Sequence, residues 1–155
     1  MKIRRVVTGH KEDGEATVLI DELSQDVVSF RPGATVCNVW SAPLPADNSD
    51  PADGAKQIIG TAMSGRSVFR VIEYAPGVAP RNHRTASIDY AVVLSGEITM
   101  EIDHEMVSLR AGDVLVQRGT IHNWVNSGSA PCIVAFVLID ASPVSVAGGE
   151  MQAVG

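Results

Sequence analysis

Few residues in this 155-residue chain can bind a metal or move a proton, and those that can fall in two stretches, residues 77–96 and 112–126. The first holds His83, Thr85 and Asp89; the second holds Gln117, His122 and Trp124. His83 and Thr85 are two apart, so on one strand they share a face, and a tight connection before Ile88 returns Asp89 beside them on the neighbouring strand. His122 arrives from a later strand. Neutral imidazole and carboxylate suit Fe, Mn, Ni, Co or Zn, and two histidines with one carboxylate and open positions make the facial arrangement of non-haem iron sites. The expected set is therefore His83, Asp89 and His122 around one divalent metal ion, with Thr85 bonded to a metal-bound water. Without metal the same residues form an acid/base cluster, since two imidazoles near a carboxylate titrate close to neutral pH. His83 and His122 are the catalytic candidates in either case.

Three further residues are placed around a substrate. Thr85 shares the face of His83; Gln117, at a strand end, can hold a substrate oxygen or bond backbone; Trp124, two residues after His122, shares its face and supplies an aromatic wall. Tyr90 alternates away from Asp89 and reads as core. Trp40 suits either a subunit contact or a pocket lid, where aromatic residues are enriched. Arg81 and Arg84 flank His83, with Arg84 alternating away from it toward solvent or a partner subunit, and Asn126 pins backbone at the end of its strand.

The spacing of these residues resembles the two signature motifs of the cupin superfamily, Gly-x5-His-x-His-x3,4-Glu-x6-Gly and Gly-x5-Pro-x-Gly-x2-His-x3-Asn. Gly77, His83 and Gly96 match the first, with Thr85 where the second His would stand and Asp89 in place of the Glu. Gly112, Gly119, His122 and Asn126 match the second after deletion of one residue, with Arg118 in the region of the usual Pro. The wording Ser87-Ile88-Asp89-Tyr90 and Gln117-Arg118-Gly119-Thr120-x-His122 is similar to a subgroup of small single-domain cupins found in bacteria and in fungal secondary metabolism. The resemblance spans residues 66–140 and implies a jelly-roll barrel with an interior pocket more firmly than it implies a substrate.

The elements that must carry these side chains read as β. Short Val, Ile and Thr runs recur between Gly, Pro, Asn and Asp, which places strands at 4–8, 16–21, 35–41, 67–74, 88–94, 97–102, 106–109, 114–117, 123–126 and 133–139. Only residues 51–59 suggest a short helix. Many antiparallel strands in one chain must close into a barrel or sandwich, because open edges invite aggregation. The expectation is one all-β domain over 1–155: N-terminal strands and a connecting loop over 1–65, a cupin core over 66–140, and a tail over 141–155. Residues 42–65, rich in Pro, Ala, Asp, Ser and Gly, are long enough for either a mobile lid or a plain connecting loop, and read more simply as a solvated loop. Residues 142–155 read as poorly ordered unless a partner subunit holds them.

Composition narrows the function. With 12 Lys plus Arg against 18 Asp plus Glu the chain has a net charge of −6, which gives no footprint for a phosphate backbone, so nucleic acid is not an expected partner. The N-terminus carries charge without a following apolar segment and no run is long enough to span a bilayer, which points to a cytoplasmic protein with no membrane partner. Cys37 and Cys132 lack a Cys-x-x-Cys spacing and fit reduced, partly buried thiols better than a disulfide framework or zinc knuckle, while counting alone leaves a bridge between them open. Val-rich N-terminal strands carry more apolar surface than one small barrel covers, so a homodimer is expected.

Three functions suit the pocket. The first is an enzyme acting on a small oxygenated, aromatic or polyketide-like metabolite by lyase or isomerase chemistry, dehydration or decarboxylation, using a divalent metal or a His pair. The second is a metal-dependent dioxygenase. The third is a non-catalytic cupin that binds a small ligand.

Overall fold

The computed structural model describes residues 1–25, 27–57 and 59–155. Thirteen strands are described: β1 (Arg4–His10), β2 (Ala16–Leu23), β3 (Val27–Arg31), β4 (Ala34–Pro43), β5 (Arg66–Tyr74), β6 (Ser87–Ser95), β7 (Glu97–Ile102), β8 (Glu105–Arg110), β9 (Val114–Arg118), β10 (Asn123–Val125), β11 (Cys132–Asp140), β12 (Val144–Val146) and β13 (Gly149–Met151). A six-stranded sheet runs in the order β3-β4-β5-β11-β6-β9 and faces a three-stranded sheet, β10-β7-β8. The pairings within both sheets are antiparallel. This is the jelly-roll arrangement expected for alternating Val-rich strands broken by Gly and Pro. Among the described residues no helix is long and apolar enough to cross a membrane.

Period-two alternation builds the core. On β11, Cys132, Val134, Phe136 and Leu138 are buried while Ile133, Ala135 and Val137 are only partly so; on β6 the inward set is Ser87, Asp89, Ala91 and Val93. Ile98 and Met100 of β7 and Trp124 of β10 meet them from the other sheet. The β6 to β7 turn depends on Gly96, whose φ is +78°; a Cβ there would stand 2.7 Å from the Pro131 carbonyl oxygen. Cys37 and Cys132 are both buried free thiols.

Three departures from the sequence reading have physical causes. Residues 27–31 form β3, whose Val27 and Val28 pair with Cys37 and Val36; the segment is too short and too closely bounded by Pro32-Gly33 to declare itself alone. The expected helix at 51–59 is reduced to one 3-10 turn, Gly54–Lys56, capped by the Asp53 carboxylate on Ala55 N–H, with Ile58 lying outside the described residues. The tail is not loose. It folds as the β12–β13 hairpin and then pairs Val154 with Arg84 through two backbone hydrogen bonds of 2.8 and 3.0 Å. Backbone pairing needs no side-chain volume, so a Gly-rich tail can be held this way.

The β1–β2 hairpin stands as its own two-stranded sheet. One tie to the body is Arg5, 2% exposed, whose guanidinium reaches both Glu22 and Asp53. Two carboxylates on one buried guanidinium satisfy the rule that a buried charge must be paired.

Candidate functional site

The six-stranded sheet and the strand ends leading into β6 and β10 enclose a cavity of about 360 Å³. Its lining includes His83, Thr85, Asp89, His122 and Trp124, together with Tyr74, Phe136 and Leu138. His83 lies just before β6 and His122 just before β10, and their backbones bridge each other through two hydrogen bonds, both 3.0 Å. That bridge joins the two motif stretches and sets the imidazoles side by side, ring centroids 4.1 Å apart. Trp124 stands edge-on to His122 at 6.0 Å and continues into Tyr74 and Phe136, so an aromatic wall backs the pair.

Each imidazole is oriented through its Nδ1. His83 Nδ1 lies 3.1 Å from the Arg81 carbonyl oxygen, and His122 Nδ1 lies 3.1 Å from that of Thr120. A carbonyl only accepts, so both Nδ1 atoms carry the proton and both Nε2 atoms are left as the basic nitrogens. Gln117 is the third partner of this network. Its side-chain amide lies 2.6 Å from His122 Nδ1 and 3.5 Å from the Thr120 carbonyl oxygen. Gln117 is absent from the cavity lining, where a residue holding a substrate oxygen would have to be, and instead braces His122.

Burial keeps both histidines neutral. His83 is 8% and His122 3% exposed. Loss of solvation is the main cause that lowers the pKa of each; for His122, with the nearby His83 adding to it, the value falls to about 4. Asp89 moves the other way, raised by burial and partly restrained by Ser87 and by the charge of Arg70.

Thr85, Ser87 and Asp89 share one face and form a chain: Ser87 Oγ donates to Asp89 Oδ1 at 2.5 Å and lies 2.9 Å from Thr85 Oγ1. One oxygen of the carboxylate is engaged by its own strand. This corrects the expected meeting of His83, Asp89 and His122 on one ion: among the described residues no group of three or more His, Cys, Asp or Glu side chains could hold a metal. A catalytic metal site asks for three protein ligands, and the imidazole pair supplies two. The donor set as arranged does not fit that group.

The sequence reading missed the cavity's arginines. Arg31, Arg70 and Arg81 all line it. Arg70 had a signal, because it shares the inward phase of β5 with Val68, Ile72 and Tyr74, where a charge is out of place. Arg31 had none, since it ends a strand that was not foreseen.

Comparison with known proteins agrees with this architecture. The family model described as the Cupin domain matches residues 70–139. The chain is 31% identical over 97% of its length to a cupin-domain-containing oxidoreductase, fogC, of Aspergillus ruber, covering 79% of that protein. It is 34% identical, again over 97% of its length, to the oryzines biosynthesis cluster protein J of Aspergillus oryzae, covering 89% of it. Among solved structures, AerE from Microcystis aeruginosa superposes with a TM-score of 0.52 at 20% identity, covering 77% of this chain and 47% of that one, which is a likeness of fold. With both motif stretches joined at one cavity and these relatives matched along nearly its whole length, the chain belongs to the cupin family.

Proposed function

We propose that this protein is an enzyme that moves a proton on a small oxygenated metabolite, as a lyase or isomerase, with His122 and His83 as its acid/base pair. One observation carries the reading: two buried, neutral imidazoles lie 4.1 Å apart on a cavity of metabolite size, each held by Nδ1 with Nε2 left basic. One Nε2 removes a proton from carbon or oxygen, and the resulting imidazolium returns it to the leaving hydroxyl or to the new carbon centre. Like charges this close oppose double protonation, so the pair takes up at most one proton at a time. Trp124, Tyr74 and Phe136 exclude water and hold an apolar or aromatic body. Relatives named for biosynthetic clusters support a metabolite as substrate. Cupin barrels commonly hold a metal, and none of these steps is routed through one.

The test is to incubate the protein with candidate hydroxy- and oxo-metabolites in deuterated water and follow mass. Uptake of one deuterium into substrate or product without oxygen consumption is the expected result. The name of the Aspergillus ruber relative favours a second reading, an oxidoreductase. Consumption of dioxygen with no solvent deuterium in the product would establish that reading instead.

We also propose that the assembly is a homodimer. An antiparallel sheet facing water normally alternates apolar inward with polar outward. Here the outward positions Tyr90, Val92, Leu94, Val114 and Val116 are apolar and exposed, as are Val6, Val18, Leu19 and Leu23 of the hairpin. A second copy covers such surface at no cost in new sequence. Light scattering should give twice the chain mass, and a monomer at high micromolar concentration would overturn the proposal.

A further inference from the structure

The cavity is far more basic than the chain as a whole. Arg31, Arg70 and Arg81 line it against one carboxylate, Asp89, in a protein whose net charge is −6. Neither Arg31 nor Arg70 makes an ion pair with a described side-chain carboxylate, and the contrast with Arg5 is direct: that buried guanidinium has two.

Arg70 is 4% exposed. Its Nη2 donates to the Gly60 carbonyl oxygen at 2.6 Å, while its Nε is buried with no partner. Arg31 also buries an unpartnered Nη1 and rests its guanidinium over the Tyr74 ring at 5.7 Å. Arg81 Nη2 donates to Thr61 Oγ1 and to the main-chain oxygen of Gly155, which orient it at the cavity. A buried charge left unpaired is costly, and a site that keeps several of them together is one in which a ligand supplies the missing charge.

We propose that Arg31, Arg70 and Arg81 form an anion-binding wall that holds a carboxylate of the substrate in the cavity where His83 and His122 act. The inference rests on the acid/base reading for the identity of the cavity as the substrate site, and extends it by naming the substrate class: an organic acid with an apolar or aromatic body. The planar guanidinium fork matches a carboxylate with two parallel hydrogen bonds. Phosphate shares that chemistry. Much of the remaining wall, Val36, Ile72, Trp124, Phe136 and Leu138, is apolar, and it desolvates a monoanion at lower cost than a dianion. Burial brings the Arg70 pKa down to about 10, which leaves it charged at neutral pH. A carboxylate fixed here lets the imidazoles work on the atoms adjacent to it.

The test is calorimetric titration of the whole protein with benzoate, its neutral isostere benzamide, and phenyl phosphate. Benzoate should bind about tenfold or more tightly than benzamide, and Arg70→Met and Arg31→Met should each reduce that preference about tenfold while leaving benzamide unchanged. Arg31, at the end of an edge strand, serves if Arg70→Met fails to fold. Benzoate binding no better than benzamide, or a preference that survives both substitutions, would overturn the proposal. Phenyl phosphate binding more tightly than benzoate would overturn the carboxylate in favour of a phosphate ester. In His122→Ala the benzoate preference should persist. Solvent exchange at the native rate in that variant, with the preference intact, would strike only the acid/base reading, and absence of the preference in the native protein only this one.

Discussion

Replacing His122 with alanine is expected to lower turnover by about 10²–10⁴-fold, the range that one positioned acid/base group supplies. His122 is 3% exposed and contacts His83, Gln117 and Trp124, so the substitution also opens space; His122→Asn, which keeps a polar group near Gln117, separates lost chemistry from lost packing. Both variants should keep the strand-rich circular dichroism of the native chain. Their rates, measured by solvent deuterium exchange once a substrate is in hand, should fall alike. The pH profile adds a second check. The reactive form is the neutral imidazole, and the His122 pKa is depressed to about 4, so the native rate should stay level through neutral pH and fall only as acid protonates the pair. A variant with native turnover, or a native rate that drops near pH 6.5 as for a solvated imidazole, would remove His122 from the mechanism.

The same burial predicts a loss of stability in acid. His122 takes up its proton near pH 6.5 when unfolded and only near pH 4 when folded, so the unfolded chain binds more protons throughout that window and stability falls with pH across it. The full displacement corresponds to roughly 3 kcal/mol, a large share of what holds a domain of this size together. His83 is shifted in the same direction and adds to the loss. Asp89, raised by its burial, acts in the opposite sense: its protonated form suits the folded state, so it returns some stability as the pH drops through its folded value. Urea denaturation at pH 7 and near pH 4.5 should show a clearly lower midpoint in acid. His122→Gln should flatten that dependence. An unchanged midpoint in the native protein, or an equal drop in the variant, would show that His122 is solvated in the folded state.

Much of this protein is legible before folding. Strands Glu97–Ile102 and Ser87–Ser95, the turns at Ser95-Gly96 and Ala111-Gly112, and the pairing of two motif stretches follow from alternation, turn residues and spacing, all local properties of the chain. His83, Thr85, Asp89, His122 and Trp124 are placed on one cavity by those same rules. Which partner each side chain takes is not local. Strand parity alone puts Asp89 within reach of the histidines, yet Ser87, two residues before it on the same face, binds one of its oxygens. Gln117 turned out to support His122 because residues 117–122 curl back on themselves at Gly119, with φ +60°, a geometry that spacing does not specify. Arg31, Arg70 and Arg81 come from β3, β5 and the segment before β6, and only closure of the barrel brings them to one wall. Periodicity determines which face of a strand a residue occupies, whereas the charge and proton balance of a cavity is set by residues distant in sequence, and that balance decides what the site can hold.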